Sequence, residues 1–293
     1  MKSSLTAPAF LLASTLLVAQ TTAGPRSPLA RHYREGEALT YQMTAVNDDR
    51  HYTAEATGIV KKNADGSYSE EFRWIGMTSN GQPVVLSPST STFRMQLSLD
   101  PARMPSGPDL SKVDPQLIGP VLDLMTFYVD LWITSKIGML QHPGDHFYVP
   151  NPRPSSWADG TRVLTGEDLI DFDLNFQSID PAKKTALLVV HHVPPAHPNL
   201  QFPAAWMEAP VADTPNNWIE VAKTKEGKYQ AGAGKETFDV SITVSTVDGK
   251  ILSATMDNPV VTSSRLCDDA ALTQCGDAQS HTIHRHIEIA LVP

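Results

Sequence analysis

The chain has little cysteine: Cys267 and Cys275 are the only two in 293 residues. Both lie far from the apolar opening segment, so no cysteine follows that segment to take a lipid, and a lipoprotein anchor is not expected. Basic residues are also scarce, with 23 Lys+Arg against 32 Asp+Glu and a formal net charge of −9. No Lys/Arg cluster occurs. That argues against nucleic acid, whose phosphates require a basic surface, and against electrostatic docking on anionic lipid headgroups. A serine nucleophile elbow, a glycine-rich phosphate loop, a Walker motif, a dinucleotide fingerprint and a repeat of fixed period are all missing. With none of these, no catalytic residue is assigned and a non-enzymatic role is expected.

What the N-terminus does have is the grammar of an export signal. Lys2 supplies the positive start, Ala9–Ala19 (AFLLASTLLVA) an apolar stretch too short to span a bilayer, and Thr21-Thr22-Ala23 small residues for cleavage before Gly24. Residues 1–23 are therefore expected to be a signal peptide and 24–36 a flexible lead-in, with the protein periplasmic or extracellular. In an oxidising compartment the short loop LCDDAALTQC is expected to close as a Cys267–Cys275 disulfide. It would staple the connection between strands at Val260–Arg265 and His281–Leu291.

The body reads as β. Apolar and polar side chains alternate over Ala38–Thr44, Phe93–Leu99, Ile170–Gln177 and Phe238–Val244, as half-buried strands require. Tyr52–Val60, Ser67–Gly76, Val84–Leu86, Thr185–Val193, Ile219–Thr224, Gly227–Ala231, Ile251–Met256 and Ile283–Val292 complete the expected strands. Turn signals at Asn47–Arg50, Asn80-Gly81, Asp180-Pro181 and Asp248-Gly249 separate them. One helix is expected between the two β regions. Asp114 suits an N-cap and Pro115 the first turn, and the apolar run to Ile137 ends at Gly138. Its polar exceptions, Gln116, Gly119, Asp123, Thr126, Asp130 and Thr134, form one narrow stripe, so protein should wrap most of it. Asp123 and Asp130 would each cost roughly 2.5–3.5 kcal/mol near a bilayer centre, so no membrane span is expected.

The resulting expectation is an α+β, β-dominated single domain over residues 37–293. A first meander covers 37–100, a central helix 114–138 (apolar over about 115–137) and a second meander 145–293, with a strongly curved antiparallel sheet wrapped around the helix as a half-barrel. This order of meander, apolar helix Pro115–Ile137 and second meander resembles the bacterial lipoprotein-carrier superfamily, and it is also similar to secreted proteins of environmental bacteria. The resemblance implies an exported protein that holds a hydrophobic or amphipathic ligand, a small molecule or lipid, between sheet and helix. Leu124, Phe127, Tyr128, Leu131 and Trp132 would line that cavity, and they would equally form a dry core.

The sharpest polar constellation is His281-Thr282-Ile283-His284-Arg285-His286-Ile287-Glu288. On a strand, His284, His286 and Glu288 share one face while Ile283, Ile287 and Ile289 share the other. Two imidazoles and a carboxylate can ligate zinc or another divalent ion, which makes a metal-binding protein or metal-dependent enzyme the second reading; the same face also suits plain solvent contact. His142, His146, His191, His192 and His197 are scattered, and a composite site joining them to His284 and His286 is open. Asp171 and Asp173 read as a solubilising strand face. Trp157, Trp206 and Trp218 lie in or beside loops, where they pin the loop or offer a contact surface. A structural or interaction module of the cell envelope is the third reading.

Overall fold

A computed structural model of the chain describes residues 27–48, 50–99, 112–114, 117, 140–149, 155–158, 162–166, 171–193, 201–208, 216–237 and 239–293. Strands β1 (Ala38–Asn47), β2 (Arg50–Lys62) and β3 (Tyr68–Ser79) form a meander, extended beyond β3 by β4 (Gln82–Pro83) and β5 (Arg94–Ser98). The β3–β4 turn is tight because Asn80 and Gly81 both take left-handed backbone angles, φ 47° and 77°, as that hairpin class demands. Next come β6 (His146–Val149), β7 (Ser155–Ala158), β8 (Arg162–Gly166), β9 (Asp171–Asp180), β10 (Thr185–Val193), β11 (Asn216–Lys223), β12 (Tyr229–Glu236), β13 (Asp239–Ser245), β14 (Ile251–Cys267) and β15 (Gln279–Leu291). Among the described residues, two short helices, α1 (Pro88–Ser91) and α2 (Ala205–Glu208), stand between strands.

The 15 strands of the described residues belong to one antiparallel sheet, and β14 is its hub. One edge of β14 pairs with β15 from Ser253 to Ser264. The other edge carries β13 against Ile251–Asp257 and then β12 against Val260–Cys267. At 17 residues, β14 extends roughly 55 Å, enough to seat two partners end to end. Two arms leave it, β13–β10–β9–β6 and β12–β11–β8–β7, while β15–β1–β2–β3 continues on the far side.

The two arms have separate cores. The larger takes the inward side chains of β1, β2, β3, β9, β10, β13 and β15, with Phe72, Phe176, Leu188 and Ile242 fully buried. Leu29, Phe93, Val113, Leu117 and Leu140, all outside the strands, close over it. The smaller joins Met207, Ile219, Ala231, Ala233, Cys267 and Leu272 beside the disulfide loop. On the other face of β11 and β12, Trp218 packs so closely over Gly234 that a Cβ would stand 2.1 Å from its ring.

Residues 27–37 lie across one end of the larger core. The Ser27 hydroxyl donates to the Leu140 carbonyl, and His32 N–H donates to the Asp248 carbonyl at 3.1 Å. A Cβ on Gly249 would stand 2.7 Å from the backbone of Ala30 and Arg31, so the chain can cross only at a glycine. Glu37 binds Arg31 at 2.5 Å and Lys250 at 3.0 Å. Burial raises the Glu37 carboxyl, but the hydrogen bonds from Lys250 and Arg31 outweigh it and hold the group below its ordinary value.

The expected α+β half-barrel wrapped around one long apolar helix is corrected by this architecture. The sheet is neither closed nor strongly curled, and among the described residues the helices are α1 and α2, of four residues each. The physical reason is the fork: β14 is long enough to take two strands on one edge, so the sheet grows by branching instead of curling. The span assigned to the central helix, about 115–137, lies outside the described residues except for Leu117. Asp114, the expected N-cap, accepts at its carbonyl from Leu117 N–H at 2.8 Å and on its carboxylate from Ser87 N–H at 3.1 Å. Its own N–H donates to Thr90 Oγ1 at 2.9 Å, which ties it to α1. No helix among the described residues is long and apolar enough to cross a membrane.

Candidate functional site: an aspartate–histidine row on the outer face

Period-two alternation fixes which side chains leave the core. Leu174 and Phe176 on β9, Leu188 and Val190 on β10, Val240 and Ile242 on β13, Met256 on β14 and Ile287 on β15 are buried. Asp173, His191, Asp239, Asp257 and His286 therefore project from the opposite face. The strand register places them side by side. Asp173 faces His191, His191 faces Asp239, Asp239 faces Asp257, and Asp257 faces His286. The row continues to Tyr148 beyond Asp173 and to Val46 and His51 beyond His286. From Asp173 to His286 it crosses four strand intervals, about 19 Å.

Between Asp173 and His286, both imidazoles of the row bind a carboxylate. His191 Nδ1 stands 2.8 Å from Asp239 Oδ1, and His286 Nδ1 stands 2.7 Å from Asp257 Oδ1. The other ring nitrogen of His286, Nε2, lies 3.2 Å from Glu288 Oε1. His146, diagonal to the row, places Nδ1 3.2 Å from Asp173 Oδ1. The Asp257 hydrogen bond is the main reason that His286 is held above its ordinary value; partial burial opposes it, and Glu288 adds to it. Asp239 and Asp257 are both 71% exposed, so the row is an open surface and not a cleft. Beside it, Asp48 accepts from His284 N–H at 3.0 Å and binds His281 Nε2 at 2.8 Å. The backbone bond from His284 and then the His281 contact lower the Asp48 carboxyl.

The metal candidates His284, His286 and Glu288 do point outward from β15, with Ile287 and Ile289 buried beneath. His286 and Glu288 bond to each other, whereas His284 binds Asp48 through its backbone N–H. Among the described residues no group of three or more His, Cys, Asp or Glu side chains is placed to hold a metal ion. The scattered histidines do not converge on a joint site: His146, His191 and His286 meet the same outer face, but three strand intervals separate His191 from His286, with Asp239 and Asp257 between them. His142 lies apart, 3.9 Å from Asp145. The side chain of His192 and all of His197 lie outside the described residues.

Asp239 and Asp257 are the members that sequence reasoning missed. Asp239 stands at an outward position of the Phe238–Val244 alternation, so parity marks its face; only the register shows that Asp257 is its neighbour. Arg285 was also missed. Parity places it inward with Ile283, Ile287 and Ile289, where its Nε donates to Asn258 Oδ1 at 2.6 Å.

Leu124, Phe127, Tyr128, Leu131 and Trp132, the expected ligand lining, lie outside the described residues, as do Asp123, Asp130 and the signal segment. Cys267 and Cys275 form the expected disulfide, which closes the loop between β14 and β15. Trp206 pins that loop through Nε1–H to the Leu272 carbonyl at 3.3 Å, with the Arg265 guanidinium 5.0 Å from its ring centre. The side chain of Trp157 is outside the described residues. No protein-family model matches the chain, and no curated protein matches it.

Proposed function

We propose that the chain is an exported interaction module that docks a cationic partner, a Lys/Arg-bearing polypeptide segment, on the outer face of its sheet. The observation that carries this reading is the row itself. Asp173, Asp239, Asp257 and Glu288 present carboxylates along one open face. Among the described residues no Lys or Arg stands on this row or on the rows that flank it, where Val189, Ser241, Thr255 and Thr44 lie on one side and Pro259 and His284 on the other. Asp239 and Asp257 face each other directly, a like-charge pairing that a sheet resists unless a cation intervenes. Ammonium or guanidinium groups on a partner supply that cation, and the net charge of −9 steers them toward the chain. The disulfide supports an oxidising compartment, hence export to the periplasm or cell exterior. A cradle between sheet and helix would require a curled sheet, and the open sheet offers no such support.

The test is calorimetric titration of the full chain with a lysine octamer at pH 8 and low salt. The expected result is binding that weakens as salt is added, because screening acts over about 8 Å at physiological ionic strength. It should weaken about tenfold in the Asp239→Asn/Asp257→Asn double variant. No binding, or an affinity indifferent to the double substitution, contradicts the proposal.

A further inference from the structure

Asn80 is the one asparagine of the chain that a glycine follows, and both residues are exposed at the β3–β4 turn. That dipeptide has a chemistry of its own. The Gly81 amide nitrogen can attack the Asn80 carboxamide carbon, because glycine brings no side chain to obstruct the approach. The amide proton is lost, a C–N bond closes a five-membered imide, and the carboxamide nitrogen leaves as ammonia. Water then opens the ring at either carbonyl, giving aspartate or isoaspartate at position 80. Water is the only co-reactant. Among the described residues no backbone group accepts from the Gly81 N–H, so the nucleophile is unoccupied.

The fold nevertheless holds the two reacting groups apart. β3 has β2 on one edge and β4 on the other. Asn80 is tied to the β2 side twice: its N–H donates to the His51 carbonyl at 2.6 Å, and its Oδ1 accepts from His51 N–H at 2.9 Å. Gly81 runs the other way, reversing the chain so that Gln82 pairs with Ser79 on the β4 side. The carboxamide carbon is anchored toward one edge of β3, while the nitrogen that would attack it turns toward the other. Both turn residues also hold left-handed angles, φ 47° and 77°, a narrow well that leaves Asn80 little freedom to rotate. Closing the imide therefore requires the His51 tether to break and the turn to open.

We propose that Asn80 is a covalent modification site that the fold keeps locked, with the hydrogen bond from His51 to its carboxamide as the lock, so that opening of the β3–β4 turn leaves a lasting chemical record. This is independent of the docking reading. The two products differ in effect. Aspartate at position 80 keeps an oxygen for His51 N–H. Isoaspartate adds a main-chain carbon to a two-residue turn, so Ser79 and Gln82 lose their register, and β4 detaches with Val84 and Leu86 from the edge of the larger core.

The test incubates the full chain at pH 8, in buffer and in concentrated urea, and follows the Asn80 fragment of a digest by mass spectrometry as it becomes about one mass unit heavier. A synthetic peptide spanning Thr78–Pro83 gives the rate of the unrestrained sequence. The chain in urea should react at the rate of that peptide. The folded chain should react at least about tenfold more slowly, because only its open fraction is reactive. His51→Pro deletes the donor N–H, which serves Asn80, and should speed the reaction of the folded chain severalfold. Equal rates in buffer and urea overturn the lock. A rate that His51→Pro leaves unchanged in a folded chain overturns the His51 bond as its cause. No conversion in urea while the peptide converts overturns the site itself. The comparison of buffer with urea uses the unaltered protein, so it decides the matter even if His51→Pro fails to fold.

Discussion

Arg285 Nε donates to Asn258 Oδ1 at 2.6 Å at the one place where β14 changes partner. Asn258 and Pro259 fall between the end of the β13 ladder and the start of the β12 ladder. Asn258 is 1% exposed and spans the gap, donating from Nδ2 to the Thr237 carbonyl at 2.7 Å and to Glu236 Oε2 at 3.3 Å. Arg285 also reaches Glu236, at 3.3 Å. A polar knot therefore holds the fork between the two apolar cores. Asn258→Ala removes both bridges at once and should destabilise the chain by about 2–3 kcal/mol, read from urea denaturation. A change within about 0.5 kcal/mol would mean that the knot is not holding the fork.

The disulfide closes the β14–β15 connection with a sequence separation of 8, and Leu272 of that loop packs in the smaller core. Closing so short a loop restricts the unfolded chain and is worth about 2–3 kcal/mol. Cys267→Ala with Cys275→Ala should lower stability by that amount and speed amide exchange first around Leu272 and Trp206. Unchanged exchange there would separate the loop from the core.

Glu37 anchors residues 27–37 through Arg31 and Lys250. Its carboxyl is lower in the folded chain than its ordinary 4.5, so its contribution is fully present above that value and is lost as pH falls through the lower folded value. Glu37→Gln should cost about 1–3 kcal/mol at pH 7. It should also flatten this part of the acid-unfolding curve. An acid limb identical to that of the parent chain would show that the anchor adds nothing.

His286 has the opposite sign. Its folded value lies above 6.5, so the stability it adds is complete below 6.5 and disappears as pH rises through the folded value. Asp257→Asn removes the main cause and should bring the NMR midpoint of His286 down toward 6.5. A midpoint that does not move on substitution would assign the effect to something other than Asp257.

Local patterns were legible in the chain, and long-range pairing was not. Thr185–Val193 reads as a strand and forms β10 with those limits. The outward set His284, His286 and Glu288 follows from parity alone. Asp257-Asn258-Pro259, by contrast, reads as a break between two strands, yet β14 runs through it unbroken. A strand accepts proline there because that edge has no ladder to feed at the handover. Val84–Leu86 shows the reverse error: β4 ends at Pro83, and Val84 and Leu86 instead pack at the edge of the larger core. Asp114 has the residue type of a helix cap and its carbonyl accepts from Leu117 N–H, but its carboxylate reaches Ser87, 27 residues earlier, which no local pattern announces. The site was half legible. Its histidines were visible as a scatter, but the aspartates between them become neighbours only through the registers of β10, β13, β14 and β15.

The most direct test of the docking face is a backbone and imidazole NMR map of the full chain with the lysine octamer added stepwise at pH 8. The account predicts that the shifted signals cluster along one line, Asp173, His191, Asp239, Asp257, His286 and Glu288, while the inward residues between them stay in place. Shifts scattered over the surface, or concentrated at the disulfide loop and Trp206, would contradict it.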